Sequence, residues 1–259
     1  MRKNLHYDWH WVYVTGNGDI GNQAVHEMDM CRWALGYKTL PPRVISIGGR
    51  LGYDDDGDTA NTQLAILDYK PIPILFEVRG LPRKANEDVM DAFRGIRVGF
   101  VVQCENGYYA GGFSGGWVYD NKGEKIRQFA QNGSDKHQAN FIAAVRSRKL
   151  SDLNCEIAEG HLSSALCHMA NVSYRVGKQV PQQDPADAIK SNPLAVEALE
   201  KMKAHLEAND VDLRKTPLSV GPWLEMDVAA ERFTGPFAAE ANKLVRREYR
   251  KPFEIPDVV

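Results

Sequence analysis

The chain of 259 residues has 43% hydrophobic side chains, enough for a sizeable core in one large domain or two small ones. Its formal net charge of −2 leaves no electrostatic footprint for nucleic acid or an anionic membrane, so neither is an expected partner. No run approaches the roughly 18 apolar residues of a membrane span, and Met1–Leu5 is basic but lacks the apolar stretch of a signal peptide, so a cytoplasmic protein is expected. Cys31, Cys104, Cys155 and Cys167 are scattered with no C-x-x-C pair, which reads as free thiols rather than a disulfide framework.

The first informative segment is Thr15–Gly36. Gly16, Gly18 and Gly21 spell G-x-G-x-x-G, the dinucleotide fingerprint, but its context argues against that use. Trp11–Thr15, the candidate first strand, follows the aromatic and polar run Tyr7–Trp11 instead of a Val/Ile-rich one. The candidate second strand ends at Gly48-Gly49-Arg50 rather than at an acid. The βαβ alternation then stops, because Thr59–Tyr69 and Ile72–Arg79 are joined only by Lys70-Pro71 and must pair antiparallel. A glycine turn feeding a helix is the expectation.

That helix, Asn22–Leu35, places Asn22, His26, Asp29 and Trp33 at i, i+4, i+7 and i+11 on one polar face. Ala24 or Val25, Met28, Cys31 and Leu35 form the opposing apolar stripe. A histidine near a helix N-terminus is held toward the neutral imidazole, which can accept a proton. His26 with Asn22 and Asp29 is therefore a candidate catalytic group, against the alternative of a structural histidine.

From Arg43 to about Phe129 the chain is β-rich, with strands expected at Arg43–Tyr53, Thr59–Tyr69, Ile72–Gly80, Arg97–Glu105, Tyr108–Phe113, Gly116–Tyr119 and Lys125–Phe129. Turn chemistry at Glu105-Asn106-Gly107 and Asp120-Asn121-Lys122-Gly123 predicts hairpins and one open antiparallel sheet. Asp54–Asp58 resembles the start of a calcium loop but has Ala65 where the twelfth-position glutamate belongs, so it reads as a solvated hairpin tip. Helices follow at Ser134–Arg148, starting with Ser-Asp, and at Cys155–Val176, closing on Gly177 as a left-handed cap. His161 and His168 share a side of the second helix; with His10 and His26 they lack a metal-ligand spacing, and no metal site is expected. His161, beside Gly160 and Ser163-Ser164, is a candidate cleft residue. Pro181–Pro185 is a break, Pro193–Ala208 an amphipathic helix, and a short helix lies near Phe237–Arg247.

These elements predict an α+β fold: an open, mainly antiparallel sheet with helices packed on one face and no complete Rossmann domain. Residues 1–180 form the α/β domain and 181–259 a helical, Pro-punctuated extension packed on it.

Residues His6–Trp11, Gly16–Gln23, His26–Asp29, Arg32-Trp33, Ile47–Arg50, Thr59–Thr62, Phe76–Gly80, Asn140–Ile142, Val145–Arg148, Glu159–Leu162 and Asn171–Gly177 resemble the second domain of the glucose–fructose oxidoreductase / inositol dehydrogenase / MocA family. The nearest branch is the one common in planctomycetes, and the resemblance spans about residues 4–180. It implies NAD(P)-dependent oxidation or reduction of a sugar or polyol. The cofactor would sit on an N-terminal Rossmann domain, and the sheet of the second domain would close over the substrate and mediate homo-oligomers. His26 becomes the acid/base at the reacting hydroxyl, Asn22 stands where the family places an aspartate, and Asp29 orients His26 or the substrate. Trp9, Trp11 and His161 are expected to line the substrate cleft.

The family's cofactor domain and its Glu-Lys-Pro motif should precede Tyr7, where this sequence has six residues. Hydride transfer needs a nicotinamide held within about 3–3.5 Å of the reacting carbon. The expectation is thus a substrate-side domain, truncated or served by a separate cofactor-domain polypeptide, with no nicotinamide bound tightly by this chain alone. The alternatives are a non-catalytic carbohydrate-binding or oligomerisation module, and a redox-neutral carbohydrate lyase with His26 as base.

Overall fold

Two neighbouring strands buried on both faces organise the computed structural model, which describes residues 5–131, 136–180 and 184–255. β1 (Arg43–Gly49) and β2 (Thr62–Leu67) pair antiparallel from Val44 opposite Leu67 to Gly49 opposite Thr62. Side chains alternate across a strand with a period of two, so each strand feeds two cores. Val44, Ala65 and Leu67 meet Ile20, Met28, Leu166 and Phe233 on one face. Ile45, Ile47, Leu64 and Ile66 meet Leu199, Met202 and Leu218 on the other. β3 (Ile74–Arg79) extends the sheet beyond β2, antiparallel as the Lys70-Pro71 turn requires.

The second face explains the C-terminal residues. The sequence predicts helices on one face, and the first face carries α3 (Ala24–Leu35) and α5 (Ile157–Val176), with α1 (Leu5–Asp8) and α2 (Gly18–Asn22) preceding them and α4 (His137–Ser147) lying outside both cores. The opposite face is covered by α6 (Pro193–Glu207), whose Ala195, Leu199, Met202 and Leu206 are buried. The sheet then recruits more of the tail. β8 (Lys178–Gln179) pairs with β9 (Ser219–Val220), and β9 and β10 (Leu224–Asp227) both pair with β1. β11 (Arg232–Thr234) closes the order β11-β10-β1-β2-β3, and α7 (Ala238–Lys243) buries Ala241 against it. The extension expected to be helical thus also completes the main sheet with short strands.

The remaining strands form a separate sheet. β4 (Phe100–Cys104), β5 (Gly107–Gly112), β6 (Gly115–Asp120) and β7 (Lys125–Ala130) are joined by consecutive hairpins. Asp120 Oδ1 accepts from the backbone N–H of Lys122 at 2.8 Å and Glu124 at 2.9 Å, while Gly123 takes φ +86°, which builds the predicted turn. The expectation of one continuous sheet is corrected here. Hairpin chemistry is local and carries nothing about β3 and β4, which the irregular segment Gly80–Gly99 separates.

One helix end differs from expectation. Gly177 is extended at φ −65° and ψ 166° rather than left-handed. Its lack of a side chain serves packing instead, since a Cβ would lie 2.8 Å from Gly221 N and Val220 O. The expected Ser134-Asp135 start of α4 and Pro181–Gln183 of the expected break lie outside the described residues. No described helix is long and apolar enough to cross a membrane.

α3 is fixed to α5 through one buried guanidinium. The Arg32 side chain is 0% exposed. Its Nε donates to Ser163 Oγ at 3.0 Å and its Nη1 to Tyr37 O at 2.8 Å. Nη2 reaches the carbonyl of Glu159 and pairs with its carboxylate, which the arginine holds below the usual carboxylate range. Ser163 Oγ in turn donates to Asp29 Oδ1 at 2.5 Å. The Asp29 and Glu159 carboxylates keep 30% and 28% of their side-chain surface in water, so losing the buried guanidinium costs about 1–3 kcal/mol, less than for a fully buried pair. Arg32→Ala is therefore expected to lower unfolding stability in urea by about that amount, and Arg32→Met by less because it keeps the volume. A loss under about 1 kcal/mol in Arg32→Ala would show that the network is not a fold determinant.

Candidate functional site

The glycine turn ahead of α3 is occupied by the protein itself. A Cβ at Gly16 would stand 2.5 Å from His10 O, at Gly18 2.8 Å from Thr59 Cβ, and at Gly21 2.2 Å from the Asn17 side chain. The glycines admit neighbouring chain rather than a pyrophosphate, and the candidate strand Trp11–Thr15 is the end of a 3-10 turn (Trp9–Trp11) followed by a bend and turn. These residues do not fit a nicotinamide dinucleotide.

The expected helix Asn22–Leu35 is interrupted: Asn22 closes α2, Gln23 is the turn, and His26 lies in the first turn of α3, where its backbone N–H donates to Gln23 O. Both Asn22 and His26 are exposed. Among the described residues neither side chain has a hydrogen-bond partner. Asp29, on the same stripe, has its carboxylate engaged by Ser163 and lies 3.6 Å from Arg32 Nη2. The buried side of α3 is Ala24, Glu27, Met28 and Arg32, so two charged residues sit where the sequence suggested a purely apolar stripe.

A cleft of about 540 Å³ opens between α3 and the second sheet. Its helical wall is Gln23 and Glu27, and its far wall includes Arg97, Trp117, Tyr119 and Gln128. The cleft meets the helix at Gln23 and Glu27, and none of His26, Asn22, Trp9 and Trp11 lines it. Glu27 is 5% exposed, and Gln23 Nε2 donates to its two oxygens at 3.3 and 3.4 Å. Neither residue stood out in the sequence. Their i, i+4 spacing is visible there, but burial of Glu27 depends on a sheet that follows more than 70 residues later.

The remaining candidates are dispersed. Trp9 is half-exposed and stacks on His10 with ring centroids 3.8 Å apart. Trp11 acts through its backbone, accepting from the N–H groups of Asp58 at 2.9 Å and Thr59 at 3.2 Å. His161 Nε2 lies 2.7 Å from Glu231 Oε2 in the turn between β10 and β11, and does not line this cleft. The Asp54–Asp58 loop is pinned rather than merely solvated. Asp55 takes both Nε and Nη2 of Arg50 at 2.6 Å and accepts from Gly57 N, while Asp58 Oδ1 accepts from Tyr13 N at 2.8 Å.

Asp19, overlooked in the sequence because it reads as an ordinary first-turn acid, is the most perturbed carboxyl near this surface. Burial pushes it up to about 6 from 3.8, against the pull of Arg50 and His10. An acid whose pKa is raised on folding takes up a proton between about pH 4 and 6, so its contribution favours the folded state below that window and is lost as pH rises through it. Asp19→Asn is accordingly expected to stabilise the protein more at pH 7 than at pH 4 in urea titrations. An equal effect at both values would refute the shift.

No protein-family model matches the sequence, and no curated protein matches it. Solved structures give partial likenesses. A structure described as a candidate oxidoreductase from Thermotoga maritima is 16% identical with a TM-score of 0.48, covering 64% of this chain and 47% of that one. One from Bacteroides fragilis, described in the same way, is 14% identical with a TM-score of 0.42, covering 60% and 50%. A candidate dehydrogenase from Bordetella bronchiseptica is 15% identical with a TM-score of 0.41, covering 62% and 55%. The chain spans about half the length of these structures. Likeness at this level does not establish a family.

Proposed function

We propose that this chain forms the substrate side of an NAD(P)-dependent sugar or polyol oxidoreductase, with His26 as the group that exchanges a proton with the reacting hydroxyl. The observation that supports this most is the unpartnered Asn22 and His26, exposed on either side of the α2–α3 junction beside the cleft-lining Gln23 and Glu27. A structural histidine would be expected to spend its ring on a neighbour, as His161 does on Glu231. In this reading the His26 imidazole accepts a hydroxyl proton during oxidation and returns it in reduction. Asn22 has an amide donor and acceptor for an adjacent hydroxyl but no charge with which to stabilise an imidazolium. Asp29, tied to Ser163 and Arg32, acts in this reading by holding α3 in place. The described residues build no seat for a nicotinamide, so no hydride step is assigned to them.

The test follows the ring of His26 by NMR while myo-inositol and D-glucose are added to the purified protein. The His26 signals are expected to shift with polyol concentration, and Asn22→Ala to weaken that response about tenfold by removing one hydrogen-bonding partner. His26→Ala is expected to move unfolding stability by no more than about 0.5 kcal/mol, as for an exposed position. A His26 signal indifferent to both ligands at about 100 mM, far above the millimolar range of weak specific binding, would refute the proposal. A large stability loss in His26→Ala would instead identify the histidine as structural.

A further inference from the structure

A second cavity, of about 460 Å³, opens at the C-terminal end of α5 and is built around Tyr13. That tyrosine is fixed from several sides. Its hydroxyl donates to Asn171 Oδ1 at 3.2 Å, and Asn171 Nδ2 in turn donates to Asn17 O at 2.8 Å. Burial pushes the Tyr13 hydroxyl well above its usual range, so it stays a neutral phenol.

Two opposite charges are anchored on this one residue. Asp58 Oδ1 accepts from Tyr13 N at 2.8 Å, and the Arg175 guanidinium lies over the Tyr13 ring, 4.5 Å from its centroid. Both side chains line the cavity at exposed positions. Among the described residues no ion pair joins them, Asp58 has no other cationic partner, and Arg175 has no hydrogen bond. The backbone bond keeps Asp58 at the main-chain end of Tyr13, and stacking keeps Arg175 at the ring end. The gap between them is therefore maintained by the protein and available to a ligand.

The chemistry of the lining defines that ligand. Asp58 accepts from an ammonium, while the guanidinium fork of Arg175 matches a carboxylate with two parallel N–H donors. One charge of each sign favours a ligand that carries both and has no net charge. The negative end of the α5 dipole lies at the same place and adds to the attraction for an ammonium. Tyr174, whose hydroxyl burial pushes up, and Ser219 contribute two neutral hydroxyls. The volume lies within the range of small-molecule sites.

We infer that this cavity is a binding site for a free α-amino acid, with Asp58 taking the ammonium and Arg175 the carboxylate. Both charges of such a ligand stand on one carbon, close enough to sit between two groups held by a single residue, and incorporation into a peptide removes one of them. None of Asn22, Gln23, His26 and Glu27 lines the cavity, so its occupancy is measured independently of His26.

The experiment is an NMR titration of the purified protein with L-leucine, following the ring signals of Tyr13 and Tyr174. The comparisons are 4-methylpentanoate and 3-methylbutylamine, which keep the leucine skeleton and one of its two charges each. L-leucine is expected to shift both rings saturably, and each comparison to bind at least about tenfold more weakly. Asp58→Asn keeps an acceptor for Tyr13 N, and Arg175→Met keeps an unbranched stem over the ring. Each is expected to raise the Kd for L-leucine at least about tenfold, the loss of one charge-assisted hydrogen bond. Arg175→Met, at an exposed helical position, serves alone if Asp58→Asn fails to fold cooperatively. No shift at about 100 mM L-leucine, far above the millimolar range of weak specific binding, would overturn the inference. So would equal binding of either comparison, or an unchanged Kd in either folded variant.

Discussion

A guanidinium buried between two helices sets the geometry of everything on the α-face. Arg32 has no exposed side-chain surface, and its donors reach three different residues, Ser163, Tyr37 and Glu159. Such a fork has directional requirements that apolar packing lacks. Fixing Arg32 against α5 fixes the rotation of α3 about its own axis, because residues three and four positions away must then face defined directions. With Met28 in the core and Asp29 at Ser163, His26 is left facing out and Glu27 facing the second sheet.

That rotation divides four consecutive residues among four environments. His26 is solvent-exposed, Glu27 lines the cleft, Met28 enters the hydrophobic core and Asp29 joins the ion network. Buried charge on this helix is therefore of two kinds. Arg32 has its donors largely satisfied, as buried ions must to be tolerated. Glu27 is under-supplied and open toward a cleft, the condition under which a ligand gains most from bringing donors.

Secondary structure was largely legible because its causes are local. The alternation in β1 to β3, the hairpin turns of β4 to β7 and the apolar periodicity of α5 and α6 all announce themselves within a few residues. Rejection of the G-x-G-x-x-G segment as a nucleotide turn was also within reach, since Lys70-Pro71 permits only antiparallel pairing of its flanking strands. The division into two sheets was not legible. Neither was the return of β9 and β10 to the edge of β1, because partners 171 to 182 residues apart leave no mark on local pattern.

For the candidate site, sequence alone determined the chemistry available on α3: an imidazole in its first turn followed by two carboxylates, Glu27 and Asp29. Helical spacing within α3 sets their relative directions, whereas the break at Gln23 that puts Asn22 on α2 was not read from the periodicity. Only tertiary structure decided how each group is used. Docking of α5 consumed Asp29, burial raised the protonation range of Asp19 against the pull of Arg50, and the second sheet enclosed Glu27 instead of His26. The reason is physical: burial and partner choice depend on surfaces brought from distant parts of the chain, whereas periodicity depends on the backbone helix alone.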